Sequence, residues 1–273
     1  ITGIGTFCHE YSHTLGLADL YDTDYEGSGG ESAGVWIWTS LMDGGNQNNF
    51  GNTPPYYNAI EREMVGICEP IRITSDGSYS LGPIDKTNTV YRIDTDHEDE
   101  YYLLECRSGK GWDAHIGGKG MLVYHIDRSD RSSGYSENYG RVLKAYERWD
   151  SANEVNCRPD HQCADLLEAD GRNDIFSHDI PADISGVFFP QYGATTIIPD
   201  STPGFRFWSG ATCGVTVSEI RWEDGVIKFN ISGLSEDTVP PGISNVTIET
   251  FTDAAILHFE SERLFEGNAV IEW

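Results

Sequence analysis

His9-Glu10-Tyr11-Ser12-His13-Thr14-Leu15-Gly16-Leu17-Ala18-Asp19 is the stretch from which the rest of the chain is read. Its first five residues are HExxH. Around them Ile4, Phe7, Cys8, Tyr11 and Leu15 recur at helical spacing, which predicts a helix over 3–16 with Gly16 as its stop. On a helix, positions i and i+4 share one face, so both imidazoles can point at one Zn²⁺. Glu10 stands beside the first ligand without being one. Zinc brings the pKa of a bound water towards roughly 7, and Glu10 is placed to take its proton as it attacks a carbonyl, then pass it to the leaving amine. A bare HExxH arises by chance in about one chain in a hundred of this length. The helical frame, the glycine break and a downstream Ser40-Leu41-Met42-Asp43-Gly44 turn raise this one above that level.

Catalytic zinc takes three protein ligands and keeps one open position. Several acids follow His13. Asp19, six residues on, completes HExxHxxGxxD; Glu26 and Glu31 are loop carboxylates able to fold back over a metal. Asp22 and Asp24 are further candidates, and with neighbouring carbonyls they suit a structural Ca²⁺ equally well.

Outward from the motif, residues 17–51 are dense in Gly, Asp, Asn and Ser and are expected as a long functional loop region. A second helix is expected to start at Pro54-Pro55 and run through Tyr57, Ile60, Met64 and Val65. After Pro70 the period changes to two. Runs at 71–74, 79–81, 90–93, 101–106, 121–126, 215–220 and 226–231 alternate with turn signals such as Ser75-Asp76-Gly77. They predict a β-sandwich-like domain with an irregular insertion over about 128–205. A linker with Pro240-Pro241 leads to further strand-like runs at 243–250, 254–259 and 269–273, read as the start of a fibronectin type III or immunoglobulin-like module.

The expected fold class is therefore α+β and β-rich. A partial catalytic domain covers 1–70, a β-sandwich-like domain 71–235, and a linker with a truncated third module 236–273. We expect an internal fragment lacking upstream segments of its own precursor, one that binds zinc weakly and cleaves poorly without them.

The chain carries 18 basic and 44 acidic residues, a net charge of −26. That excess disfavours nucleic acid and anionic membranes, which need basic patches. No run approaches the roughly 20 apolar residues of a membrane span. None of the six cysteines forms a CxxC pair, so no structural zinc site is expected, although Cys157 and Cys163 are close enough to close a small disulfide loop. His125 reads as a strand residue with a structural hydrogen bond, and His115, His161 and His178 as loop residues.

The run from His9 to Asp22 resembles the active-site stretch of the immune inhibitor A family of secreted bacterial metallopeptidases. Trp38-Thr39-Ser40-Leu41-Met42-Asp43-Gly44 is similar to that family's turn beneath the zinc. Blocks at 100–105, 111–113, 120–127 and 167–171 resemble segments of the domain that follows. The resemblance implies a zincin fold, protein or peptide substrates, and secretion or display at a bacterial cell surface. It further implies His9, His13 and Glu31 as zinc ligands, with Asp19 as the alternative third ligand. Met42 would line the site's floor, and Gly44 stands where related sites often carry a tyrosine. The competing reading is an adhesion or ligand-binding β module with a vestigial zinc site; an intact Glu10 speaks against it.

Overall fold

A computed structural model describes residues 3–35, 37–132, 134–171, 184–234, 243–250 and 255–261. The chain divides into two compact units, 1–233 and 234–273.

Helix α1 (Ile4–His13) begins where Gly3 is still extended. It closes in a C-terminal motif that explains why Gly16 had to be glycine. Gly16 adopts φ +90°, Gly16 N donates to His13 O, and Leu17 N donates back to Ser12 O. This reversal turns residues 17–20 back along the helix. The apolar stripe used to predict α1 does not face the core: Ile4, Phe7, Tyr11 and Leu15 are 47–66% exposed, while Gly5, His9 and Ser12 are buried. The helix is seated through its small and polar face. At Gly5 a Cβ would stand 2.0 Å from Asn46 O, so only glycine allows the 3₁₀ turn 44–47 to approach this closely. Ser12 Oγ donates to Cys8 O (2.6 Å) and meets the Tyr57 hydroxyl at 2.5 Å.

Residues 17–35 carry no helix, as expected of a loop region, yet much of this stretch is buried. A short kinked helical turn, α2 (Asn48–Gly51), precedes α3 (Ala59–Met64). α3 starts four residues later than the prolines suggested. Asn58 and Glu61 form a reciprocal capping box, whereas Pro54–Tyr57 stay non-helical and Tyr56 N donates to Asp113 Oδ1. The capping pair, not the prolines, sets the helix start.

Two sheets follow. The first has five strands in the order β1 (Ile71–Arg72), β3 (Tyr91–Asp94), β4 (Glu100–Arg107), β5 (Gly120–Asp127), β6 (Ala164–Leu166); β1 and β3 run parallel and the other pairs antiparallel. β4 and β5 are buried at every position, so both faces are covered. The second sheet is antiparallel: β2 (Gly77–Leu81), β8 (Val226–Ser232), β7 (Thr216–Glu223). β8 alternates buried and half-buried residues, the pattern of a sheet with one solvated face. The sheets meet where Tyr79 stacks on Phe229 and Tyr91 sits edge-on to both. A short turn, α4 (Ile84–Thr87), links β2 to β3. The irregular stretch after β5 holds α5 (Ala145–Trp149) and the edge strand β6.

Leu20, Val35, Met42 and Ile60 share one apolar core with Leu103, Leu122, Tyr124, Leu166 and Phe188, so segments on either side of residue 70 pack as one body. Arg107 ties them with polar bonds. Fully buried at the end of β4, it donates to both oxygens of Asp113, to Glu105, and to the Thr39 and Tyr56 carbonyls. A buried guanidinium is tolerable because its hydrogen bonds are made and two carboxylates balance it.

The small disulfide loop expected at Cys157 and Cys163 is absent, and none of the six cysteines is in a disulfide. Cys157 is engaged by the Thr23 hydroxyl at 3.0 Å, and burial pushes its thiol up to about 12. The unit 234–273 contains an antiparallel pair, β9 (Ile243–Thr250) and β10 (Ala255–Ser261). The expected strand over 269–273 lies outside the described residues. Among the described residues no helix is long and apolar enough to cross a membrane.

Candidate metal centre

α1 carries His9 and His13 one turn apart, with their rings 5.0 Å apart and nearly perpendicular. Each ring is held from behind by a main-chain carbonyl. His9 Nδ1 lies 2.8 Å from Leu41 O, in the 40–43 turn, and His13 Nδ1 lies 2.8 Å from Leu17 O, just after the helix reversal. A carbonyl accepts only, so each Nδ1 is the donor and each ring turns its Nε2 inward. The reversal at Gly16 brings Asp19 across both. Its Oδ1 is 3.1 Å from His9 Nε2 and 3.5 Å from His13 Nε2.

This geometry places three acceptor atoms around one point. Asp19 is buried, and no donor is aligned on its Oδ1. Such a group, held away from water, is stabilised by a positive charge at its centre, either a proton on His9 Nε2 or a metal ion. A tetrahedral zinc with bonds of about 2.0–2.1 Å separates its ligand atoms by about 3.3 Å, which the two observed spacings bracket. The donor set fits zinc in chemistry as well: two imidazoles and one carboxylate, with carbonyls fixing the tautomers from the second sphere. The titration behaviour has the same origin. Burial pulls the His9 imidazole down, but the Asp19 carboxylate, the Leu41 carbonyl and the charge of Glu10 outweigh it and leave His9 raised. Burial pushes Asp19 up, and contacts with His9 and Asn153 and the charge of His13 bring it below the usual carboxylate range.

Asp19 is aimed by a residue 134 positions away. Asn153 Nδ2 donates to Asp19 Oδ2 at 2.7 Å, and Asn153 Oδ1 accepts from Asp19 N at 2.7 Å. Thr23 Oγ1 donates to Asn153 O, and Asn156 Nδ2 donates to Leu20 O, so the 153–156 segment holds the whole 19–23 loop. Nothing local in the sequence marks Asn153.

The 40–43 turn is held by Glu61. Its Oε1 accepts from Ser40 Oγ (2.5 Å) and Met42 N (2.8 Å), and its Oε2 from Asn58 N (2.7 Å). Burial pushes Glu61 up, and these three donors draw it part of the way back. The carboxylate thus joins the α3 cap to the turn that anchors His9. Glu61→Ala leaves the buried Ser40 Oγ and Asn58 N unmatched and Met42 N with only its bond to Ser40 Oγ, which is expected to cost about 3 kcal/mol. Calorimetry on this chain should then record a melting temperature lower by about 6–12 °C. A fall of under about 3 °C would show that other contacts hold the turn.

Glu10 is exposed on α1 next to His9, and its charge acts on that imidazole. Met42 is fully buried in the turn, and its carbonyl accepts from Leu20 N, linking the turn to the loop that bears Asp19. Glu31 is half-buried and belongs to none of the close groups of potential metal donors among the described residues; those groups are His9, His13 and Asp19, and separately Asp22, Asp24 and Cys157. The second group offers a thiol, which is not a calcium donor. Its two carboxylates have local donors: Asp22 accepts from Asp24 N and Ser32 N, and Asp24 from the Ser28 hydroxyl. Burial, with Asp24 alongside, raises Asp22 to about 7. His125 lies on β5 with Nε2 at 2.8 Å from Glu100, His161 pairs with Asp127, and His115 is exposed. His178 and most of 170–174 lie outside the described residues.

Residues 2–65 match the family model described as the immune inhibitor A peptidase M6 catalytic domain. The match supports the resemblance and points to a metallopeptidase. No curated protein and no solved structure matches the chain.

Proposed function

We propose that the chain is a zinc-dependent endopeptidase in which His9, His13 and Asp19 hold the metal and Glu10 is the general base. What carries the reading is the convergence of His9 Nε2, His13 Nε2 and the donorless Asp19 Oδ1 on one point, with Glu10 adjacent. Zinc bound there supplies the Lewis acidity that acidifies a water and polarises a peptide carbonyl. The protein's part is positional. The Leu41 and Leu17 carbonyls hold each Nδ1 and so aim each Nε2 inward. Asn153 fixes the Asp19 carboxylate through Oδ2, leaving Oδ1 for the metal. Glu10, outside the ligand set and open to solvent, takes a proton from the attacking water on its carboxylate and returns it to the leaving amine nitrogen. We place this activity outside the bacterial cell, on protein or peptide substrates, as the resemblance implies.

Asp19, not Glu31, is the third ligand in this proposal. The helix reversal delivers it directly, six residues after His13, at the spacing zinc requires.

The test is hydrolysis of a quenched-fluorescent peptide mixture before and after chelation. Turnover is expected to vanish on stripping the metal and to return with about one equivalent of zinc. Turnover that survives complete stripping would end the reading.

A further inference from the structure

Directly against the candidate metal centre lies a cleft of about 320 Å³, lined by His13, Gly16, Leu17, Ala18, Trp149 and Asp150, with Asn153 at its wall. Its volume is at the small end of ligand pockets, roughly 300–1,000 Å³, so it suits one side chain rather than a whole ligand. One wall is a metal ligand. An occupant of the cleft therefore touches the second histidine of the proposed metal site. Leu17, Ala18 and Trp149 are buried and offer apolar surface suited to a methylene stem.

Asp150 supplies the charge. It is exposed at the end of α5, and no Lys, Arg or His among the described residues pairs with its carboxylate. Most other carboxylates around this site are already engaged: Asp19 by Asn153, Asp22 by Ser32 and Glu154 by Ser136. Arg128 lies over the Trp149 ring at 4.7 Å but does not line the cleft. A cleft that combines the small apolar faces of Leu17, Ala18 and Trp149 with a carboxylate lacking a cation is complementary to a long basic side chain, and the chain's net charge of −26 favours approach of basic segments.

We propose that this cleft is a specificity subsite of the peptidase, and that Asp150 selects substrates bearing Lys or Arg next to the scissile bond. The inference rests on the peptidase reading and adds the substrate class to it. The same segment, 149–153, then does two things: Asn153 aims the metal ligand, and Asp150 reads the substrate.

The test uses the zinc-loaded full chain and fluorescein-labelled hexapeptides that differ at one position, Lys against norleucine against Glu, scanned through the sequence. Affinity is read by anisotropy for wild type, Asp150→Asn and Asp150→Lys, with zinc content and melting temperature checked in each. At one position Lys is expected to bind about tenfold more tightly than norleucine, near the strength of a single charge-assisted contact. The preference should fall to parity in Asp150→Asn and turn towards Glu in Asp150→Lys. A preference for Lys that persists in both variants, or none at any position in wild type, would overturn the inference and leave the peptidase reading intact. No binding of any peptide to the zinc-loaded chain, together with no hydrolysis, would overturn both.

Discussion

Asp19→Ala is expected to lower zinc affinity by about a thousandfold, while Glu31→Gln leaves it within about threefold. The first removes one of three protein ligands at a site where zinc tolerates no fewer without a large loss. It also leaves His9 Nε2 and His13 Nε2 with no carboxylate partner. The second touches an acid outside the converging group. Asn153→Ala should fall between them, at about 10–100-fold, because it loosens Asp19 without deleting it. A chelator-competition titration of the four proteins gives the order directly. If Glu31→Gln collapses binding and Asp19→Ala does not, the third ligand is Glu31.

The second large effect belongs to Glu10. Glu10→Gln keeps the size of the side chain and removes its ability to carry a proton. Zinc content should stay at the wild-type level, since Glu10 lies outside the ligand set, whereas peptide turnover should fall by about 10²–10⁴-fold, the range for loss of a general base. The combination discriminates: an adhesion module with a vestigial site would bind its ligand equally well with either residue. Equal turnover in the two proteins would remove Glu10 from the mechanism.

How far the site was legible follows from how its parts are encoded. The two histidines and Glu10 are local to one helix, so spacing alone placed them. Asp19 is visible in the sequence as part of HExxHxxGxxD, but the family resemblance puts Glu31 ahead of it. What separates it is the 16–17 reversal, where Leu17 N returns to Ser12 O and turns the chain across both rings. Gly16 marks a helix stop, but a stop does not say where the chain goes next. Asn153 was out of reach, because its pairing with Asp19 spans 134 residues and no period or spacing carries it. Glu61 was within reach: Asn58 and Glu61 have the spacing of a capping box, and the prolines before them drew the helix start too early.

The strands were legible for a different reason. Alternation and turn residues in 71–126 and 215–231 are short-range signals, and each expected run holds a strand of the sheets. The burial of β4 and β5 at every position was not legible as such, since it depends on the loop and helix segments that cover them. The helical stripe of α1 misled in the same way. Its period identified the helix, but the face that seats it is the one bearing Gly5, His9 and Ser12. Periodicity reports an element; which side is buried is decided by partners remote in sequence.

The central claim is a zinc site formed by His9, His13 and Asp19, and elemental analysis of the purified full chain tests it most directly, with His13→Ala prepared alongside. The account predicts about one zinc per wild-type chain and almost none in the variant. No zinc in the wild type after loading with metal, or full retention in His13→Ala, would contradict it.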